Sequence, residues 1–245
     1  MTFAKDSYQK NDPIYLNDHE YKNPKEYFKI IVSLIKIRFE QTPISVIDVG
    51  CASGGFLYYL INQIRVEKGV GIDVSDQHLA QARAMMPEMN FLEESVLNLP
   101  NPELSTYDVC TFLGTMSIFD HMEEILRHLI QLVKKEGVLY IYDLINDYPV
   151  DMIMRYRTVS DETFSEWNAA LNVRSKKTYE LLINKIDKTL KVAFHDFEMP
   201  FPIQKTDNPM RAWTIPTPTQ KNHLVVGTGQ MLNFKIVEIY HSPSL

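Results

Sequence analysis

Short apolar runs alternate with stretches of helical periodicity between Ile44 and Leu144, and this alternation restricts the chain more than any single motif does. The runs are ISVIDV (44–49), GVGIDV (69–74), NFLEES (90–95), YDVCTFL (107–113) and GVLYIYDL (137–144), with amphipathic segments at 53–63, 75–86 and 120–135. Near-continuous Val, Ile and Leu suit strands buried on both faces. Strands alternating with helices at this spacing build βαβ units around a parallel sheet. The reading is an α/β fold with a doubly wound open sheet. A preceding helix is expected over 24–41, where Asn23-Pro24-Lys25-Glu26 supplies a cap, a first-turn proline and a Glu able to reach back. Tyr27, Ile30, Ile31, Leu34, Ile35 and Phe39 recur there at three- and four-residue spacing.

After Asn146 the pattern changes. Ser160 is expected to cap a helix over 161–172, and TYELLINKI (178–186) with LKVAFHDFEM (190–199) reads as a hairpin turned at Asp187-Lys188-Thr189. The prolines of 200–218 predict a loop, followed by a helix over 219–232 and a strand, FKIVEIYH (234–241). Residues 1–147 and 218–245 are therefore expected to form the core with an N-terminal capping helix, and 148–217 a helix-plus-hairpin cap inserted into it.

Composition narrows the function. The 25 Lys and Arg against 31 Asp and Glu give a net charge of −6, which leaves no global basic field for a nucleic-acid backbone. Two cysteines, Cys51 and Cys110, provide neither a disulfide framework nor paired zinc ligands, and no metal site is expected. The opening residues MTFAKDSYQKNDP hold no apolar leader, and no apolar run approaches the ~20 residues that span a bilayer. A cytoplasmic protein in a reducing compartment is the expectation.

Glycine is scarce, nine in 245 residues, about half the usual ~7%. Yet Gly50, Gly54 and Gly55 crowd into Val46-Ile47-Asp48-Val49-Gly50-Cys51-Ala52-Ser53-Gly54-Gly55-Phe56, a strand, a tight turn and a helix start. Small residues at 50, 52 and 54 let a ligand approach the backbone, and a helix start offers unpaired N–H groups. The spacing is Gly-x-Ala-x-Gly, not the Gly-x-Gly-x-x-Gly of dinucleotide enzymes, so a pyrophosphate is not the expected ligand. Asp73 ends the second run, where an acid can accept from both ribose hydroxyls. Asp48, near the end of the first, can hold an ammonium. A ribose at one end and a cationic amino-acid head at the other describe S-adenosylmethionine.

The chain here resembles the class I S-adenosylmethionine-dependent methyltransferases. VIDVGCASGGF is similar to their first motif, GVGIDVS to their second strand, NFLEESVLNLP to the segment flanking the adenine, and YDVCTFLGTMSIFDHMEEILRHLIQLVKKEGVLYIYD to the fourth strand, helix and fifth strand. The resemblance covers about residues 25–145 and, more loosely, the final helix and strand. It implies a Rossmann-like, seven-stranded, mostly parallel sheet. It also implies S-adenosylmethionine as cofactor and methyl transfer to oxygen or nitrogen of a small molecule, anionic or sugar-like. On the cofactor side it places Asp48, Gly50, Cys51, Ala52, Gly54, Asp73, Val74, Ser95, Val96, Leu113 and Gly114. The family's third strand often carries an Asp facing the adenine amino group; here Ser95 stands at that place, with Glu94 before it.

Methyl transfer from a sulfonium needs alignment and exclusion of water, and a base only where the acceptor must shed a proton. His121 after the fourth run, Asp143 at the end of the fifth and His195 in the expected hairpin are the candidate catalytic residues. Each has a plainer reading: a solvated His121 at a helix start capped by Asp120 with Glu123, an Asp143 satisfying backbone groups, and a His195 facing solvent. Arg155, Arg211 and Trp213 are the candidate acceptor-binding residues, since Arg forks and aromatic faces suit an anionic or sugar-like molecule; a solvated basic face is the alternative. The fourth run ends Leu113-Gly114-Thr115, unlike the Asn/Asp-Pro-Pro-Tyr/Phe of amino-methylating DNA enzymes, and no Pro-Cys pair marks a cytosine-C5 nucleophile. Two other readings stay open: an RNA or protein methyltransferase, disfavoured by the acidic charge, and a non-catalytic S-adenosylmethionine-binding regulatory module.

Overall fold

The computed structural model describes residue 16 and residues 19–40, 42–99, 106–157, 159–160, 162–169, 172–196, 214–216, 222–224 and 233–241. The apolar runs are strands: β1 (Ile44–Val49), β2 (Val66–Asp73), β3 (Asn90–Glu93), β4 (Tyr107–Leu113) and β5 (Val133–Asn146). Short strands β6 (Arg155–Tyr156), β7 (Asn168–Ala169) and β8 (Arg174–Ser175) follow, then β9 (Leu190–Asp196), β10 (Thr214–Pro216), β11 (Asn222–Leu224) and β12 (Phe234–His241). The central sheet runs β3-β2-β1-β4-β5-β12-β9, with β8 paired to the tip of β5. The first five strands are parallel; β12 is antiparallel to both β5 and β9. This is the expected mostly parallel, doubly wound sheet.

Side-chain alternation splits the core into two layers. Val46, Val138 and Ile236 face a layer built from α2 (Glu26–Phe39), α3 (Gly55–Ile61) and α4 (Asp76–Met85), reached by Ile31, Leu57 and Leu79. Ile47, Phe112, Ile141 and Val237 face α5 (Met122–Gln131) and α6 (Lys176–Ile186), reached by Leu126, Leu129 and Tyr179. A one-turn helix, α1 (His19–Lys22), precedes these, and the Tyr21 hydroxyl donates to the Ser53 carbonyl at 2.5 Å, fastening it to the turn before α3.

Several expected elements take another form. Lys25, not Asn23, holds the cap position of α2, and Glu26 pairs with Lys29 instead of reaching back. TYELLINKI is not a strand but most of α6: Tyr179, Leu182, Ile183 and Ile186 stand at helical spacing, and the Ser175 hydroxyl caps the helix by accepting from Thr178 N at 3.1 Å. The other half of the expected hairpin is β9, so the sheet draws its edge strand from within 148–217.

The expected helix over 161–172 is absent among the described residues. Met152 bridges Val173, β6 pairs with β7, and Val159 bridges Phe164, so 152–173 folds back on itself as a β-arm. Ser160 turns the arm instead of capping a helix, its N–H donating to Thr163 O (3.0 Å) and its hydroxyl accepting from Thr163 N (3.1 Å). β10 and β11 pair antiparallel where a loop and the start of a helix were expected, with Pro216 at the strand end, where a missing N–H is tolerated. The remainder of 217–232 lies outside the described residues. No helix among the described residues is long and apolar enough to cross a membrane.

Candidate functional site

The tips of β1 and β2 converge on the glycine turn. Gly50 N and Cys51 N both donate to Ile72 O, at 2.7 and 2.9 Å, which ties the turn to the end of β2. Gly50, Ala52 and Gly54 all have positive φ, 71°, 48° and 82°. For Ala52 this is the left-handed region that a side chain disfavours. Asp73 stabilises it: one carboxylate oxygen accepts from Ala52 N at 2.9 Å, while the other accepts from Ser75 N at 2.9 Å. Each oxygen keeps a lone pair for a further donor. Space is as tight as the torsions: a Cβ on Gly50 would stand 2.9 Å from the Thr115 hydroxyl. Gly50→Ala is accordingly expected to lose about 2–3 kcal/mol, equivalent to about 4–12 °C of melting temperature. Gly114→Ala, at φ 72° with nothing within 4 Å, should lose less, since only the torsion is strained. Equal losses in thermal denaturation would show that the Thr115 contact does not matter.

Asp48 is 2% exposed and shares a face of the sheet with Thr111, whose hydroxyl donates to it at 2.6 Å. Burial pushes the Asp48 carboxyl up to about 7 against the pull of Thr111, and the negative charge of Asp73 adds to the rise. A cation seated beside it would reverse that. Cys51 is buried in the turn, and burial pushes its thiol well above the ordinary range, so it packs rather than reacts. Val96 is buried, and its carbonyl bonds the His128 ring at 2.8 Å; Ser95 caps the same single turn by accepting from Leu97 N. Gly114 N donates to Tyr142 O at 2.7 Å, joining the tips of β4 and β5. Val74 follows β2 directly, half-buried. The candidate cofactor residues thus lie along the tips of β1 to β4.

The candidate catalytic residues are not brought together. Asp143, 2% exposed, accepts from Ser117 N at 2.8 Å and Leu144 N at 2.7 Å; burial pushes it up to about 6 although these donors pull it down. It holds the loop after β4, as its plainer reading had it. His195 lies on the opposite face of the sheet from Asp143, toward α2, and pairs with Glu238 at 2.9 Å rather than facing solvent. His121 is exposed in the cap position of α5.

Asp120 does not cap α5. It binds Arg155, whose terminal nitrogen meets both carboxylate oxygens at 2.6 and 2.5 Å, and it accepts from the Asn172 amide at 2.9 Å. Burial raises its carboxyl, but Arg155 and Asn172 together hold it below the usual range. Arg155 is thereby committed to a protein carboxylate, contrary to its expected use as an acceptor-binding group. Asn172, fully buried, also donates to Phe119 O at 3.1 Å and accepts from Met154 N at 3.1 Å, while its backbone N–H reaches Ser117 O at 2.8 Å. Arg174 adds bonds to the carbonyls of Phe119 and Asp120. These contacts bolt the arm to the loop after β4. Sequence reasoning missed Thr111 and Asn172, because each acts through a partner more than 50 positions away and no local pattern marks it. Arg211 and Trp213 lie outside the described residues. Among the described residues no group of His, Cys, Asp and Glu could hold a metal ion.

Residues 47–139 match the family described as a methyltransferase domain. A trans-aconitate 2-methyltransferase of Enterobacter sp. (strain 638) is 32% identical over 110 residues, which is 44% of this chain and 43% of that protein. The chain therefore aligns with less than half the length of this curated relative. Among solved structures, the plantazolicin methyltransferase BpumL with SAH has a similar fold, with a TM-score of 0.57 at 18% identity over 94% of this chain and 93% of the other. The 1,6-didemethyltoxoflavin-N1-methyltransferase of Burkholderia thailandensis gives 0.55 at 12% identity over 94% and 81%. The [4+2]-cyclase SpnF gives 0.52 at 16% identity over 68% and 60%. The chain thus carries a match to the methyltransferase-domain family over residues 47–139, the segment from β1 into β5 that holds the glycine turn, Asp48 and Asp73.

Proposed function

We propose that the chain binds S-adenosylmethionine across the tips of β1, β2 and β4 and catalyses methyl transfer to oxygen or nitrogen of a small molecule. The observation that carries this reading is the glycine turn, held in left-handed torsions by Asp73 and flanked by the buried Asp48. The donor set fits the cofactor. Asp73 offers lone pairs to two ribose hydroxyls, Asp48 offers a buried carboxylate to the ammonium, and the bare backbone at Gly50 admits the chain between them. Gly114 and Val96 would wall the adenosyl side. The names of the relatives support a small-molecule acceptor.

When bound, S-adenosylmethionine supplies an activated methyl on a cationic sulfur. The chain's own residues align and enclose. Tyr21 fastens α1 over the turn, and Tyr27 of α2 stacks on Tyr142 at the tip of β5 with ring centres 3.8 Å apart. Asp143 fixes the Ser117 loop, and Asn172 fixes the arm to that loop, which gives the acceptor side a defined wall. Residues 147–173 are the proposed acceptor cover. Of the three candidate bases, His121 is the exposed one and is assigned to receive any proton the acceptor releases; Asp143 is a positioning group through Ser117 N, and His195 is given no part in the transfer. The acidic net charge supports a small acceptor over RNA, and a chain with only two cysteines, both buried, is read as cytoplasmic.

The cyclase among the similar folds favours keeping one second reading, a cleft that binds the cofactor without methyl transfer. Calorimetry with S-adenosylmethionine, followed by an assay of S-adenosylhomocysteine formation on pools of small acids, phenols and amines, separates the two. Micromolar binding with turnover is expected. Binding without turnover on any pool would favour the second reading, and absence of binding would reject both.

A further inference from the structure

The outer part of the arm carries a cluster that the proposed methyl-transfer site does not use. Arg157 lies between two rings, its guanidinium carbon 4.1 Å from the centre of Phe164 and 4.8 Å from that of Trp167. Phe164 is 62% and Trp167 53% exposed. Both rings lie within cation–π distance of the guanidinium, whose N–H edge belongs to an exposed side chain. Among the described residues that edge meets no carboxylate, although Glu162 stands on the same arm. A pre-oriented, unpaired fork of this kind matches a planar carboxylate in two-point geometry, and the adjoining rings offer stacking faces to a flat molecule.

Arg157 follows β6 directly, two positions after Arg155. Arg155 reaches Asp120 beside the tip of β4. The fork therefore stands two residues beyond the point at which the arm is fixed, where the Asn172 side-chain oxygen accepts from Met154 N and from the Arg155 guanidinium.

We propose that Arg157, clamped between Phe164 and Trp167, is a recognition site for the carboxylate of a flat, singly charged acceptor. A single carboxylate is favoured over a phosphate dianion by the net charge of −6 on the whole chain. The word acceptor rests on the methyl-transfer reading; the carboxylate site does not.

The test is a ligand-detected NMR titration of the full chain with 2-naphthoate, 2-naphthamide and 2-naphthyl phosphate. The expected result is at least tenfold tighter binding of the carboxylate than of the amide, and tighter binding than of the phosphate. Arg157→Gln should erase the preference over the amide, Arg157→Lys should reduce it to about threefold, and Phe164→Leu should weaken carboxylate and amide alike. These residues are exposed, and circular dichroism should show all variants folded. Equal binding of carboxylate and amide, or a preference surviving in Arg157→Gln, overturns the proposal. So does a stronger response to the phosphate, or a dimer in sedimentation that Arg157→Gln dissociates in the absence of any carboxylate preference. Calorimetry with S-adenosylhomocysteine on the same samples reads the other claim separately: no heat there, with the carboxylate preference intact, would fell the methyl-transfer reading and leave this site standing.

Discussion

Asp73→Ala should weaken S-adenosylhomocysteine binding by about 30- to 100-fold, equivalent to roughly 2–3 kcal/mol of charge-assisted hydrogen bonding. The carboxylate has two tasks, and both are lost. It offers acceptors to a ribose, and it accepts from Ala52 N and Ser75 N, which holds Ala52 at φ 48°. A drop in melting temperature should therefore accompany the drop in affinity. Asp73→Asn separates the two tasks: its amide oxygen can still brace one N–H, so stability should recover in part, while the NH₂ cannot accept from a hydroxyl and most of the affinity loss should remain. Calorimetry and thermal denaturation on both variants decide the point. A folded Asp73→Ala protein that binds S-adenosylhomocysteine as tightly as the parent would show that the ribose lies elsewhere.

The second large effect follows from Asp48 and depends on pH. Its carboxyl loses a proton near 4 in an unfolded chain and near 7 in the fold, raised chiefly by burial. Between those values the folded state binds the extra proton, so this group's contribution to stability is present below about 4 and disappears as pH rises through about 7. The ligand reverses the preference. An ammonium beside Asp48 stabilises the ionised form, so binding must expel the proton wherever the free protein still holds it. Affinity for S-adenosylhomocysteine should rise by roughly 25-fold between pH 5.5 and 7.5, with proton release visible as a buffer-dependent heat. Asp48→Asn should bind weakly at every pH, with a flat profile. At pH 8 the same variant should melt above the ligand-free parent, because it removes an ionised carboxylate from a site that is 2% exposed. Asp143, pushed up to about 6, adds a trend of the same sign to stability, but it is common to both proteins and cancels in the comparison. A parent profile as flat as the variant's would rule out an ammonium at Asp48.

Much of the donor half was legible because its signals are local. Buried strands announce themselves as apolar runs, and β1, β4 and β12 begin and end where the runs do. The glycine turn is written in adjacent letters. The acceptor half follows other rules. TYELLINKI has the bulky, branched composition of a strand, yet its apolar residues fall at helical spacing, and spacing prevailed once Tyr179 and Ile183 found the sheet face. Ser160 and Asp120 looked like helix caps, but Ser160 closes a turn and Asp120 is claimed by Arg155 from 35 positions away. A carboxylate prefers a charged partner to a backbone N–H when the fold brings one within reach, and the sequence does not say which arginine will arrive. Arg155 and Arg157 illustrate the limit: two residues apart and equal on paper, one is spent on the scaffold and the other is left open.

The arm departs from the tip of β5 and returns there, where Ile145 and Asn146 pair with Arg174 and Ser175. Its two ends therefore sit side by side on one strand, and the ladder closes behind it. An insertion mounted this way behaves as a replaceable tool head: lengthening, trimming or exchanging it leaves the registry of every neighbouring strand unchanged. On the proposed function, changes of this kind alter the acceptor cover and leave the strand tips that carry Asp48 and Asp73 in place.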